Sequence, residues 1–142
     1  MSSFFLRTSR LLLLCAGGLL LAACEYNKYP EGPTTTVFTA KDRVTSDWRW
    51  KLALVNDENQ TGLLRDSILT FNEDQTLSVC PREGEGACTE GEWALVTKRS
   101  KLNLIMGQQA RAYEIELLRR DEMWLTFEDD SLRIRWELEA ND

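Results

Sequence analysis

Residues 46–54 read Ser-Asp-Trp-Arg-Trp-Lys-Leu-Ala-Leu, and this stretch decides the fold. Large apolar side chains occupy every second position, namely Trp48, Trp50, Leu52 and Leu54, and mostly charged residues stand between them. Successive side chains of a β-strand point to opposite faces, so this period of two predicts a strand with one buried and one solvated face. We therefore expect these four apolar side chains to face a common core.

The same period recurs along the rest of the chain. Seven further short segments show it between polar turns: 67–71, 76–80, 89–97, 101–106, 111–118, 123–127 and 131–138. A single helical turn is expected at 40–46, before the first strand, and a loop at 56–62. Sequential strands joined by tight turns are antiparallel neighbours, and a twisted sheet of about eight strands tends to close. The sequence thus predicts an all-β domain at 39–142, an up-and-down antiparallel barrel of about eight strands.

Composition excludes several classes of function. The chain has 142 residues, with 17 Lys or Arg, 23 Asp or Glu and no His. Residues 1–23 hold two arginines and no acidic residue, so without them the net charge goes from -6 to about -8, which disfavours binding to nucleic acid. The lack of histidine excludes histidine-based catalytic triads and histidine-ligated metal sites. We expect a protein that is not an enzyme and that holds no cofactor and no metal.

The first 23 residues have the build of an export signal. Arg7 and Arg10 form a positive beginning, and an apolar run follows at 11–21. This run is shorter than the ~20 residues that a membrane-spanning helix needs. Residues 1–23 are therefore expected to be a cleaved signal peptide.

Residues 21–24 read Leu-Ala-Ala-Cys, which resembles the lipobox of bacterial lipoproteins. The resemblance implies cleavage before Cys24, a diacylglycerol on its thiol and acylation of the new amino terminus, and several acyl chains anchor a protein stably. The alternative is an ordinary free cysteine beside a signal cleavage site. Glu25 stands where an aspartate would retain such a lipoprotein in the inner membrane, so the resemblance implies the outer membrane. The segment 24–38, which contains proline and glycine, is expected to be a flexible tether.

Cys80 and Cys88 are the two cysteines that remain in the predicted domain. They flank a charged loop with a proline and two glycines at 81–87, at facing ends of two predicted strands. In an exported domain such a pair favours a disulfide over a metal site, because a structural zinc takes four nitrogen or sulfur ligands. A redox-active pair is the alternative, although redox cysteines usually stand two residues apart before a helix. We expect a structural disulfide.

The order and spacing of several motifs resemble the lipocalin-like domain of small lipoproteins of Gram-negative bacteria. These motifs are Ser-Asp-Trp-Arg-Trp-Lys-Leu (46–52), Leu-Thr-Phe-Asn-Glu-Asp-Gln-Thr-Leu (69–77), Gly-Glu-Trp-Ala-Leu (91–95), Leu-Asn-Leu (102–104), Tyr-Glu-Ile (113–115) and Met-Trp-Leu (123–125). The resemblance covers 40–138 and implies an eight-stranded, calyx-like barrel. It implies no ligand, since most members have no established activity. Gln75 departs from the family, which often has glycine there.

Five aromatic residues are expected to point into the barrel by alternation. They are the candidates for lining a pocket for a small apolar or glycan-like ligand: Trp48, Trp50, Trp93, Tyr113 and Trp136. The alternative is that they simply fill the core, because an eight-stranded barrel has room for its own side chains or for one small ligand.

Two carboxylate pairs are candidates for catalytic groups. Glu90 with Glu92, and Glu114 with Glu116, each share one face of a strand, but they alternate with the inward residues and are expected to face solvent. This placement disfavours a hydrolase, which needs two carboxylates flanking a cleft. Two functions remain: a membrane-anchored module that binds a small ligand or an envelope protein, and a structural or assembly accessory with a filled barrel.

Overall fold

The computed structural model describes residues 25–26, 29–31, 35–84 and 86–141. In chain order these residues form β1 (Glu25–Tyr26), β2 (Thr35–Thr36), α1 (Ala40–Val44), β3 (Asp47–Val55), β4 (Glu58–Asn59), α2 (Thr61–Leu64), β5 (Ser67–Phe71), β6 (Thr76–Pro81), β7 (Thr89–Val96), β8 (Lys101–Met106), β9 (Gln109–Leu118), β10 (Glu122–Glu128) and β11 (Arg133–Ala140). The predicted signal peptide and Cys24 lie outside the described residues. Neither helix among the described residues has the length and apolarity of a membrane span.

Eight of the strands close into a barrel. β3 and the strands β5 to β11 pair with their neighbours in chain order, every pair is antiparallel, and β11 returns to pair with β3. This closure removes the free edges that an open sheet would present. The predicted all-β, eight-stranded up-and-down barrel is confirmed.

The opening strand corrects one detail of the predicted core. Trp48 and Trp50 are buried as expected, but Ala53 is buried in place of Leu52 and Leu54, which are only half-buried. The pairing of β11 with β3 shifts register here and leaves Lys51 without a partner residue. Such a bulge inserts one extra residue and reverses the alternation beyond it. The prediction that Leu52 and Leu54 share the core face was therefore wrong.

One end of the barrel, here called the closed end, is covered by α1. Thr39 begins this helix with a capping box, since its hydroxyl accepts from the Asp42 N–H and the Asp42 carboxylate accepts from the Thr39 N–H. The last residue of α1, Val44, is fully buried, and its carbonyl accepts a hydrogen bond from Trp48 Nε1 at 2.9 Å. Arg43 is also buried, and its guanidinium donates to the Leu118 carbonyl at 2.6 Å. The helical turn expected before the first strand thus plugs the barrel.

Part of the segment predicted as a tether contacts the same end. The Tyr29 hydroxyl donates to the Arg99 carbonyl at 2.9 Å, and its ring lies under the Arg43 guanidinium, 5.5 Å from ring centroid to Cζ. The Glu31 N–H donates to the Glu116 carbonyl at 2.9 Å, which adds a short bridge beside β9. The chain therefore reaches the barrel at its closed end.

At the opposite end, here called the open end, the barrel wall has a gap between β3 and β5. β3 pairs with β5 only at Asp47 and Trp48, and further along it pairs with the short strand β4. The helix α2 fills the space between, where Thr61 Oγ1 accepts a hydrogen bond from the Ala53 N–H at 2.9 Å. The region expected as a plain loop at 56–62 thus holds a hairpin and the start of a helical turn.

Two backbone positions constrain the barrel, one within β7 and one in the turn between β5 and β6. At Gly91 a Cβ atom would collide with the carbonyl oxygen of Ile105 on the neighbouring strand, so the β7–β8 pair needs a glycine there. Gln75 has a φ of 71°, in the left-handed region that favours glycine. This explains why glycine often occupies the equivalent turn in the family that the sequence resembles.

Candidate functional site

A cavity of about 310 Å³ lies inside the open half of the barrel. Its wall is mainly apolar and aromatic, and consists of Trp50, Leu64, Val79, Thr89, Leu104, Met106, Gln109, Arg111, Tyr113, Ile134 and Trp136. These residues come from six barrel strands and from α2. The volume falls at the lower end of the ~300–1,000 Å³ range of small-molecule sites.

Three of the five predicted aromatic residues form one side of this cavity. The Trp50 ring meets Trp136 edge-on, with centroids 5.9 Å apart, and Trp136 stacks on Tyr113 at 4.9 Å and 24°. Aromatic pairs in these geometries are stabilised by ~0.5–1.5 kcal/mol beyond their area burial. The three rings therefore hold one another in place and form a rigid aromatic part of the cavity wall.

The other two predicted aromatic residues pack in the closed half. Trp48 is fully buried beneath α1. Trp93 donates from Nε1 to the Asn72 carbonyl at 3.0 Å and meets Phe71 edge-on at 5.6 Å. Their indole N–H groups are thus satisfied by backbone carbonyls, and their rings fill the core. The barrel has a packed half and a hollow half.

Arg111 is a cavity residue that the sequence reasoning missed. It pairs with Leu104 across β8 and β9, two positions before Tyr113 on the same inward face. Its guanidinium carbon lies 5.9 Å from the Phe127 ring centroid. The signal was present in the sequence, because Arg111, Tyr113 and Ile115 occupy alternate positions of one predicted strand. A cation in phase with the core-facing side chains indicates a functional position.

The pKa of the Tyr113 phenol is shifted by the same cavity wall that holds Arg111. Burial raises the pKa of Tyr113, and the charge of Arg111 and its hydrogen bond to the phenol offset part of that rise. The phenol therefore remains protonated at neutral pH and is available as a hydrogen-bond donor.

A second polar group in the cavity wall belongs to Trp50. Its indole Nε1 is buried and has no hydrogen-bond partner among the described residues. A buried donor without a partner costs ~1–3 kcal/mol.

A disulfide joins two strands at the rim of the open end. Cys80 and Cys88 are bonded, with Cα atoms 4.3 Å apart, directly beyond the paired residues Val79 and Thr89. The predicted disulfide is confirmed. It holds β6 and β7 together beside the cavity, where the loop 81–88 would otherwise let the strands separate.

The two candidate carboxylate pairs lie away from the cavity wall. Glu114 forms an ion pair with Lys101 at 2.6 Å, and Glu116 accepts from Thr126 Oγ1 at 3.1 Å. Glu90 and Glu92 are exposed. No aspartate or glutamate lines the cavity among the described residues.

The acidic turns at the open end are engaged by neighbouring groups. Arg133 binds Asp57 and Glu128, at 3.1 Å each. Asp129 accepts hydrogen bonds from the backbone N–H groups of Ser131 and Leu132, which lower its pKa. Among the described residues, no three cysteine, aspartate or glutamate side chains are arranged to hold a metal ion.

The barrel is similar to that of a solved structure. A lipocalin-like protein from Bacteroides uniformis ATCC 8492 superposes with a TM-score of 0.54 at 10% sequence identity, over 70% of this chain and 99% of that chain. No family model and no curated protein sequence matches the chain. At this identity the likeness concerns the fold and not the ligand. The chain therefore has a lipocalin-like fold, as its motifs predicted.

Proposed function

We propose that this protein is a lipoprotein whose barrel binds a small, largely apolar ligand in the cavity of its open half. One observation carries the proposal: about 310 Å³ of the barrel is left unfilled beside Trp50, Tyr113 and Trp136. Protein interiors are ordinarily close-packed, and a void of this size forfeits the contacts that its lining side chains would otherwise make. Binding a ligand would restore those contacts.

The protein has no enzymatic role in this proposal. Its sequence holds no histidine, and the cavity wall described above contains no carboxylate. Catalysis by a carboxylate or an imidazole would need such a group in contact with the bound molecule. The lack of both groups supports a binding role.

A lipid on Cys24 anchors the barrel to the outer membrane in this proposal. The motif at 21–24 and Glu25 support it, as argued from the sequence. Tyr29 contacts the closed end, and the five residues from Cys24 to Tyr29 can span at most ~18 Å. The closed end would therefore lie near the bilayer, and the cavity mouth would face away from it.

Two exposed apolar residues support this orientation. Val37 is 68% exposed and Phe38 is 38% exposed, just before α1 at the closed end. Apolar side chains exposed next to an anchor fit a membrane surface better than free solvent. The ligand would then enter the cavity from the aqueous side facing away from the membrane, or from an envelope protein, and not from the anchoring bilayer.

The structural-accessory alternative requires a filled barrel. Only the closed half is filled, so the hollow half favours ligand binding. A thermal-shift screen with fatty acids, glycans and haem distinguishes the two functions. A ligand present at 100 times its Kd adds ~2.7 kcal/mol to the stability of the folded state, which raises Tm by roughly 10 °C. A flat response to all classes contradicts the binding function.

Mass spectrometry of the protein extracted from its host tests the anchor. The expected product begins at Cys24 and carries the mass of its acyl chains. An unmodified Cys24, or a retained 1–23 segment, contradicts it.

Hydrogen exchange tests the proposed orientation of the barrel. With the protein in a lipid nanodisc, exchange should be slowed at the closed-end turn 97–100 and unchanged at the open-end turn 129–132.

A further inference from the structure

We propose that the ligand of the cavity is a small amphipathic carboxylate, whose head binds the Arg111 guanidinium and whose apolar body fills the space beside Trp50 and Trp136. This inference rests on the binding function proposed above and names the chemical class of the ligand.

The position of Arg111 on the interior face is fixed by the register of the sheet. Arg111 pairs with Leu104, and Tyr113 pairs with Leu102; Leu104, Tyr113 and Leu102 are all buried in the barrel. Arg111 itself is half-buried and lines the cavity. A charged group on an apolar face costs free energy unless an opposite charge or hydrogen bonds compensate. Its presence there calls for a compensating partner.

No carboxylate of the described residues lies within ion-pair distance of Arg111. Two arginines on the outer wall contrast with it: Arg49 pairs with Glu139 at 3.0 Å, and Arg135 with Glu137 at 2.6 Å. Arg111 makes no such ion pair with any described residue; it contacts the Phe127 ring and the Tyr113 hydroxyl, and its charge also acts on the carboxylate of Asp129 without a direct ion pair.

The nearby acid at the mouth is already engaged. The carboxylate of Asp129 accepts the N–H groups of its own turn, at 2.9 Å from Ser131 and 2.8 Å from Leu132. The guanidinium has five N–H donors, and its contacts with Phe127 and Tyr113 leave most of them unused. A bound anion is the partner that this arrangement lacks.

The shape of the guanidinium and the size of the cavity limit the range of possible ligands. A planar fork of donors matches a carboxylate in two parallel hydrogen bonds, and the Tyr113 hydroxyl can add a third. The rest of the wall is largely apolar, and at ~30 Å³ for each water-sized group the cavity holds roughly ten non-hydrogen atoms. Octanoate has this size and charge, and octan-1-ol matches its chain without the charge.

The test compares these two probes on the full chain in lipid nanodiscs, with empty nanodiscs as the blank for partitioning. The Arg111→Gln change should weaken octanoate binding by about 10- to 100-fold, the range for hydrogen bonds to a charged group, and should alter octan-1-ol binding less than about threefold. Retained octan-1-ol binding also shows that the variant is folded with its cavity intact. Arg120→Gln, which removes the same charge at the closed end, should leave both affinities unchanged.

The outcomes separate this inference from the function on which it rests. Equal loss of octanoate binding in Arg111→Gln and Arg120→Gln would indicate a nonspecific effect of net charge and overturns the assignment. Octan-1-ol binding that equals octanoate binding in the unchanged protein also overturns it, while leaving the apolar site in place. If the unchanged protein binds neither probe, both the carboxylate assignment and the binding function fail.

Discussion

Replacing Val79 by phenylalanine distinguishes a hollow barrel from a filled one. Val79 lines the cavity from β6, and Leu77 lies two residues earlier on the same inward face, fully buried in the packed half. Val79→Phe adds four carbon atoms at the cavity wall, which take the space of about four CH₂ groups of a ligand. At ~0.8 kcal/mol for each excluded CH₂, octan-1-ol should lose about 3 kcal/mol of binding free energy, or roughly 150-fold in affinity.

Stability should move in the opposite direction from affinity. Filling a cavity commonly adds ~0.5–2 kcal/mol to the free energy of unfolding, so we expect Val79→Phe to be at least as stable as the unchanged protein. Leu77→Phe is the matched control, because the same ring placed in the packed half should cost ~1–3 kcal/mol by overpacking. Leu77→Phe should retain octan-1-ol binding once folded.

Urea unfolding followed by tryptophan fluorescence measures the stabilities, and isothermal titration with octan-1-ol measures the affinities. If Val79→Phe is destabilised as much as Leu77→Phe, the open half is as tightly packed as the closed half. Unchanged octan-1-ol affinity in Val79→Phe would place the ligand somewhere other than this cavity. Either result refutes the hollow barrel as the binding site.

Three further changes test the supports of the fold. Gly91→Ala should destabilise the protein by ~1–3 kcal/mol in thermal unfolding, because the new Cβ meets a backbone carbonyl. Gly62→Ala is the control and should be neutral or stabilising, because the space around its Cβ is open. Equal effects of the two changes would contradict the close approach at Gly91. Replacing both Cys80 and Cys88 by serine should lower the free energy of unfolding in urea by ~2–3 kcal/mol, because the disulfide closes a loop of about nine residues and so reduces the entropy of the unfolded chain. An unchanged urea midpoint would show that the disulfide does not stabilise the fold. The lowered pKa of Asp129 contributes stability that is present above the usual value of 3.8 and is lost as pH falls through the folded-state pKa. Asp129→Asn should therefore lose stability less steeply as pH falls below about 4, and identical acid profiles count against that contribution.

The barrel was predictable because its signal is repeated. Each strand alternates apolar and polar residues, and short turns leave antiparallel neighbours as the only economical arrangement. The bulge at Lys51 was not predictable in the same way. Leu52 and Leu54 continue the apolar period perfectly, and only the register against β11 shows that the chain has one residue more than its partner strand.

The sequence predicts which side chains of the candidate site point into the barrel, but not which of them lie in the hollow half. Alternation correctly sends the aromatic side chains inward, yet it does not tell which end of the barrel is plugged. That is decided by α1, which packs onto Trp48, and by the gap in the wall between β3 and β5. Arg111 could have been found from the sequence, because it keeps the phase of Tyr113, and attention to aromatic residues alone missed it.

The most direct measurement is a crystal structure of the protein with 8-bromooctan-1-ol, in which the anomalous signal of bromine marks the end of the chain. This probe is uncharged, so its binding does not depend on Arg111. We expect one bromine peak inside the open half, against Trp50 and Trp136, with the hydroxyl toward the mouth. A bromine peak only on the outer surface, or side chains collapsed into the cavity with no bound probe, would contradict ligand binding by this barrel.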